Sequence, residues 1–273
     1  VVGIYELEII NFDLTKKYSR MKNLSFKKAL PLTAIILLII LQISCETKSE
    51  AQKIVDQSIA AHGGQLFEKA KISFEFRNRS YQVFKSPNRF EYVREFTDST
   101  GMVKDILNNE GFQRTINGER VQLNEERTGA FSRSVNSVAY FAFLPYGLND
   151  PAVFKTYLGE DEIDGKTYHL VKVTFSEDGG GEDFDDIFLY WFDKETFLIE
   201  YLAYSYHTDG GGVRFRKAVR QHEVEGLILL DYENYMPEEK NTPVEEMGNL
   251  YKEGKLKLLS EILLENIKVE LIK

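Results

Sequence analysis

Lys71-Ile72-Ser73-Phe74-Glu75-Phe76-Arg77 alternates without a break, with Ile72, Phe74 and Phe76 on one side and the polar residues on the other. A period of two is the mark of a half-buried β-strand, because successive side chains leave the backbone on opposite faces. Arg89 to Phe96 repeats the pattern, with Phe90, Tyr92 and Phe96 facing one way and Arg89, Glu91 and Glu95 the other. Strands of this kind build antiparallel sheets with one covered face and one wet face.

Working outward, the connections are turns. Asn117-Gly118 and Asp164-Gly165 are hairpin signals, since type I′ turns need positive φ at both central residues. Ser86-Pro87-Asn88, Asp98-Ser99-Thr100-Gly101, Asn109-Glu110-Gly111 and Asp193-Lys194-Glu195-Thr196 punctuate the remaining strands, so the chain reads as a meander. Longer strands are predicted at Tyr168 to Phe175, Ile187 to Phe192, Phe197 to Tyr206, Val213 to Val219, Leu227 to Tyr235 and Leu256 to Leu271. Ile187 to Phe192 is apolar on both faces, which places it centrally, under a helix on one side and under loops or a neighbour on the other.

Two helices interrupt the strands. Ser49 caps one that runs to Ala61, with Ile54, Val55, Ser58 and Ile59 on one face and His62-Gly63-Gly64 as its stop. His62 is expected to cap the C-terminal carbonyls as a cationic donor. Phe131, Val135, Val138, Ala139 and Ala142 define the second helix, over Ala130 to Phe143, which Leu144-Pro145-Tyr146-Gly147 ends.

The N-terminal part is of a different kind. Met21 with Lys22, Lys27 and Lys28 precedes an uncharged apolar run from Ala29 to Ile43. That run falls short of the ~20 residues a membrane span requires and fits a cleaved secretory signal. Residues 1–20 are expected to lie upstream of the true start, 21–44 to be signal peptide, 45–50 a polar tether and 51–273 a single domain.

Leu41-Gln42-Ile43-Ser44-Cys45 resembles the lipobox of bacterial lipoproteins. The resemblance implies cleavage before Cys45, a diacylglycerol on its sulfur and acylation of the new N-terminus. Several acyl chains on one residue hold a protein stably on a bilayer, which one chain does not. Cys45 is the sole cysteine, so no disulfide forms within the chain.

Composition narrows the partners. The net charge is −9, and it becomes −12 once residues 1–44 are removed, so nucleic acid and anionic headgroups are repelled. Nineteen Phe and fifteen Tyr favour pleated, half-buried surfaces.

Catalytic and metal motifs are absent. No Gly-x-Ser-x-Gly elbow occurs, Gly210-Gly211-Gly212 lacks the Lys-Ser or Lys-Thr of a phosphate loop, and His62, His169, His207 and His222 form no zinc-type pair. Six carboxylates crowd Glu177 to Asp186, and hard cations want such oxygens. Their spacing matches no calcium motif, so a solvated loop is expected, with Asp183, Asp185 and Asp186 only a weak metal candidate and no cofactor.

The lipobox, the helix ending in His-Gly-Gly, the long meander and the helical insertion together resemble the lipoprotein-sorting superfamily that includes LolA, LolB and RseB. Asn136 to Phe141, Leu144 to Asp150 and Leu189 to Asp193 are similar to runs in envelope lipoproteins of that superfamily. The resemblance implies a strongly curved antiparallel half-barrel with helices on its concave side, and a lipid or acyl ligand held between. Ile72, Phe74, Phe76, Phe90 and Tyr92 are then either plain core or the lining of that cavity.

The leading expectation is a non-enzymatic lipoprotein of the cell envelope, on the outer membrane, held through lipidated Cys45 and binding a lipid or other apolar ligand. The alternatives are an interaction or sensor module and a hydrolase or carbohydrate-active enzyme whose carboxylates meet only in the fold.

Overall fold

The computed structural model describes residues 48–178 and 184–272, and no helix among them is long and apolar enough to cross a membrane. Helix α1, Glu50–Ala61, is capped by Ser49, whose Oγ accepts from the Gln52 amide at 3.2 Å. Six strands follow: β1 Ala70–Phe76, β2 Arg79–Ser86, β3 Arg89–Asp98, β4 Gly101–Asn108, β5 Gly111–Ile116 and β6 Glu119–Arg120. Helix α2, Glu125–Ala142, leads to β7 Val153–Ile163, β8 Lys166–Phe175, β9 Ile187–Asp193, β10 Ile199–Tyr206, β11 Gly212–Val224 and β12 Leu227–Met236. The short α3, Met247–Lys252, precedes β13 Lys257–Ile262 and β14 Glu265–Leu271.

The expected mainly antiparallel meander with an N-terminal and an inserted helix is present, and it is divided between two seven-stranded sheets. The first runs β14-β1-β2-β3-β4-β5-β6 and the second β13-β12-β11-β10-β9-β8-β7. Its hairpins turn where the sequence places them. Asn117 and Gly118 have φ of 50° and 86°, and Asp164 and Gly165 have 53° and 76°, the pair of positive values a type I′ turn requires.

Leu256 to Leu271, predicted as one strand, is two. β13 pairs with β12 of the second sheet, whereas β14 pairs with β1 of the first, setting Val269 opposite Ile72. The break falls at Leu263-Leu264, where the Leu264 amide donates to Asp231 Oδ1 at 2.7 Å instead of to a ladder. Helix α2 also begins earlier than its apolar spacing, because Asn124 caps it through the Arg127 amide at 2.9 Å and Glu125 and Glu126 sit favourably at the positive end of the dipole.

Both long helices pack against sheet. Ala51, Ile54 and Val55 of α1 pack with Val171, Tyr190 and Phe192, while Val135, Ala139 and Ala142 of α2 pack with Ile72, Phe74, Val83 and Tyr92. The far face of β9 presents Leu189 and Trp191 to Val244 and Met247, so this strand is covered on both sides as its sequence predicts.

Two buried carboxylates tie the elements together. Asp105 accepts from Arg94 Nη2 at 2.6 Å and from Arg114 Nε at 2.6 Å, and Arg94 Nη1 also reaches Ser134 of α2 at 2.7 Å. Arg94 shares the parity of Phe90 and Tyr92, so the inner face of β3 is less apolar than its flanking residues suggest. Asp231 accepts from Arg220 Nε at 2.6 Å and lies 2.9 Å from His222 Nε2.

The end of α1 is fixed by its surroundings. His62 is its C-cap, with Nδ1 2.9 Å from the Ser58 carbonyl, and it is fully buried. Burial pulls the imidazole down to about 4, so it caps as a neutral ring and not as the cation expected. At the adjoining Gly63, a Cβ would come 2.6 Å from Leu227 and 2.7 Å from the Gly226 carbonyl, so the helix end docks closely on the β11–β12 turn.

Candidate functional site: a cavity between the second helix and the second sheet

Cross-strand register decides which residues share a face of the second sheet. Leu202 pairs with Arg216, Tyr204 with Arg214, Arg216 with Asn234, and Asn234 with Ser260. This row faces α2, and the space between them is a cavity of about 930 Å³. Pockets for small ligands commonly fall in this size range.

The apolar wall is aromatic. Phe188 stacks on Tyr204 at 5.2 Å between ring centres, and from α2 Tyr140 meets Phe188 at 5.4 Å and Phe141 meets Tyr204 at 5.3 Å. Phe76 and Tyr81, at the β1–β2 turn, close the side formed by the first sheet, and Leu230, Ile262 and Leu264 add aliphatic surface.

The polar wall is cationic. Arg77, Arg79, Arg133, Arg214 and Arg216 line the cavity with one carboxylate, Asp186, among the described residues. In a chain of net charge −9, this concentrates positive charge around the cavity, with Arg77 and Arg79 exposed and Arg216 buried. Arg214 Nη2 donates to the Tyr206 hydroxyl at 2.7 Å, and Arg77 Nη2 to Ser260 Oγ at 3.3 Å.

Arg216 is the most enclosed of them, at 7% exposure. Its Nη2 donates to the Tyr204 hydroxyl at 2.9 Å, its guanidinium lies 3.6 Å from the Phe141 ring centre, and its Nε has no hydrogen-bond partner. No carboxylate among the described residues pairs with it. Beside it, the Asn234 Oδ1 and the Tyr232 hydroxyl are also buried without a partner. Burial holds the Tyr232 hydroxyl far above its ordinary pKa, with Arg216 opposing, so it stays protonated and able to donate. Tyr140 and Tyr190 satisfy one another at 2.8 Å.

Of the residues singled out from the sequence, Phe76 lines the cavity. Ile72, Phe74 and Tyr92 lie in the packed cluster beneath α2, with Phe90 against its edge. Cys45 and Asp183 lie outside the described residues. Asp185 and Asp186 are brought to His207, whose Nδ1 is 3.2 Å from Asp185 Oδ2 and 3.7 Å from Asp186 Oδ1. The three are donors of the right kind for a cation but a small set, and Asp185 and His207 are solvent-exposed.

The arginines were missed by the sequence reading. Val213-Arg214-Phe215-Arg216 alternates cleanly, and that alternation could have placed both arginines on one face. Nothing local distinguishes a cationic face turned to water from one turned to a cavity.

The chain is similar to the solved structure of a DUF1329 family protein from Desulfovibrio piger, at 10% identity, with 82% of this chain and 94% of that one covered and a TM-score of 0.47. It is similar to a LolA superfamily protein from Nitrosomonas europaea, at 11% identity, with coverage of 83% and 94% and a TM-score of 0.43. A domain named for outer membrane lipoprotein sorting, from Vibrio parahaemolyticus, is similar at 5% identity, with coverage of 80% and 91% and a TM-score of 0.41. Among curated proteins, none matches the chain in sequence. The model of a family described as a family of unknown function, DUF6503, matches residues 32–266, and the chain belongs to that family.

Proposed function

We infer that this protein is a lipoprotein of the bacterial envelope, anchored through acylated Cys45, that binds the acyl or other apolar part of a ligand without transforming it. The cavity carries the reading. About 930 Å³ bounded by Phe76, Tyr140, Phe141, Phe188, Leu230 and Ile262 is space that side chains leave unfilled beneath a helix. Each methylene withdrawn from water there contributes ~0.8 kcal/mol, so roughly fifteen of them supply about 12 kcal/mol, which offsets association costs of about 4 kcal/mol and leaves micromolar affinity within reach. The lipobox-like run ending at Cys45 and the signal-like segment before it support the anchored, exported placement, with the outer membrane as the site. The names of the LolA superfamily and lipoprotein-sorting chains to which it is similar agree with this reading.

Native mass spectrometry of the purified chain, before and after lipid extraction, tests it. A bound apolar mass is expected before extraction, and a fluorescent fatty acid should be taken up afterwards. Ser137, exposed on the cavity side of α2, offers a control: Ser137→Trp should occupy the space and weaken uptake at least tenfold with an unchanged melting temperature. Delipidated protein that takes up no probe at tens of micromolar would overturn the reading.

A further inference from the structure

We propose that the cavity recognises an amphiphile with an anionic head, carboxylate or phosphate, and that Arg216 and Tyr232 bind the head while the aromatic wall takes the chain. This rests on the reading of the cavity as an acyl-binding site and names the chemistry of its ligand.

Arg216 carries a charge with no counter-ion among the described residues. A guanidinium cannot deprotonate, and a buried ion without a counter-ion is costly. Arg216 is 93% withdrawn from solvent by the 7% exposure it retains, yet it pairs with no carboxylate among the described residues. Compare Arg94, buried to a similar degree, which holds Asp105 at 2.6 Å. The fold supplies a partner for one buried arginine and leaves the other to a hydroxyl and a ring face. Donors on Arg216 Nε and on the Tyr232 hydroxyl remain without partners.

Their placement is consistent with a single head-group site. Arg216 pairs with Asn234 and Ala218 with Tyr232 across the β11–β12 ladder, so Arg216, Asn234 and Tyr232 occupy adjacent positions on one face. Asn234 contributes a third buried polar group, its Nδ2 donating to Ser260 Oγ at 3.2 Å and its Oδ1 open. A planar fork suits carboxylate and phosphate oxygens, and a neutral hydroxyl beside it adds a donor without adding charge. Phe141 and Tyr204, which frame the guanidinium, also belong to the apolar wall, so head and chain subsites are continuous.

Calorimetric titration of the delipidated full chain tests this with four probes: palmitate, 1-hexadecanol, acetate and inorganic phosphate. Palmitate is expected to bind at least tenfold more tightly than hexadecanol. Arg216→Gln should remove that preference by lowering palmitate affinity to the alcohol's, Arg216→Lys should keep part of it, and Tyr232→Phe should lower palmitate affinity three- to tenfold. Melting temperatures separate this from a structural role, because relief of the buried charge offsets the contacts with Phe141 and Tyr204 that are lost: Arg216→Gln should melt close to the parent. Equal binding of acid and alcohol, unchanged in Arg216→Gln, would overturn the head-group assignment and leave the acyl-binding reading standing. Failure of both long-chain probes would overturn both. Phosphate or acetate binding as tightly as palmitate would show a site for free anions and overturn the amphiphile.

Discussion

The guanidinium of Arg216 lies 3.6 Å from the centre of the Phe141 ring, joining β11 to helix α2 across the cavity. A desolvated cation over an aromatic face contributes on the order of 2 kcal/mol. In a double-mutant cycle of Phe141→Leu and Arg216→Met followed by urea unfolding, a coupling of about 1–2 kcal/mol is expected. Additive effects would show that the two side chains are neighbours without mutual stabilisation.

The Arg94–Asp105–Arg114 cluster is a more sensitive point. Asp105 is fully buried between two arginines, and Arg114 also lies 3.6 Å from the Phe131 ring centre on α2. Removing the shared carboxylate leaves two cations facing each other, a change that costs about 3–5 kcal/mol in buried pairs. Asp105→Asn is therefore expected to lose that amount in urea denaturation. A loss under about 1 kcal/mol would mean that water enters and screens the site.

His62 makes stability depend on pH in a defined window. Its folded value, about 4, lies below the ordinary 6.5, so between these values the unfolded chain binds the proton and the folded chain does not. The contribution is fully present above about 6.5 and is lost as pH falls toward 4, in total about 3 kcal/mol for a shift of this size. Urea midpoints measured from pH 7 to pH 4 should decline in the parent and decline less in His62→Gln. Parallel profiles would place the proton uptake elsewhere.

A second window lies lower. Burial raises Asp193, but the Lys166 ammonium at 2.7 Å and donors from Thr196 and Glu195 outweigh it and bring the carboxyl to about 2. Its contribution is present above about 4 and fades as pH falls toward 2. Asp193→Asn should lose stability at pH 7 and little at pH 2, by circular dichroism melts at both values.

For the anchor, growth with a labelled fatty acid should mark the parent protein and leave Cys45→Ala unlabelled and unprocessed. Equal label in both would reject acylation at Cys45.

The sequence by itself determined the local elements. Alternation at Ile72, Phe74 and Phe76 placed a strand, Asn117-Gly118 and Asp164-Gly165 placed hairpins, and Ser49 with His62-Gly63-Gly64 bounded a helix, because backbone geometry imposes these periods and φ values locally. Two-sided burial of Ile187 to Phe192 was legible for the same reason. Only the tertiary structure decided what covers each face. Leu256 to Leu271 divides because Asp231, 33 residues before Leu264, captures the amide at the break. Arg94 turns inward because Asp105 stands opposite it, and Arg214 and Arg216 face a cavity because Tyr140 and Phe141 of α2 line it with them. A period of two states that a strand has a polar face; whether water, a counter-ion or a ligand meets that face is settled by residues far away in the chain.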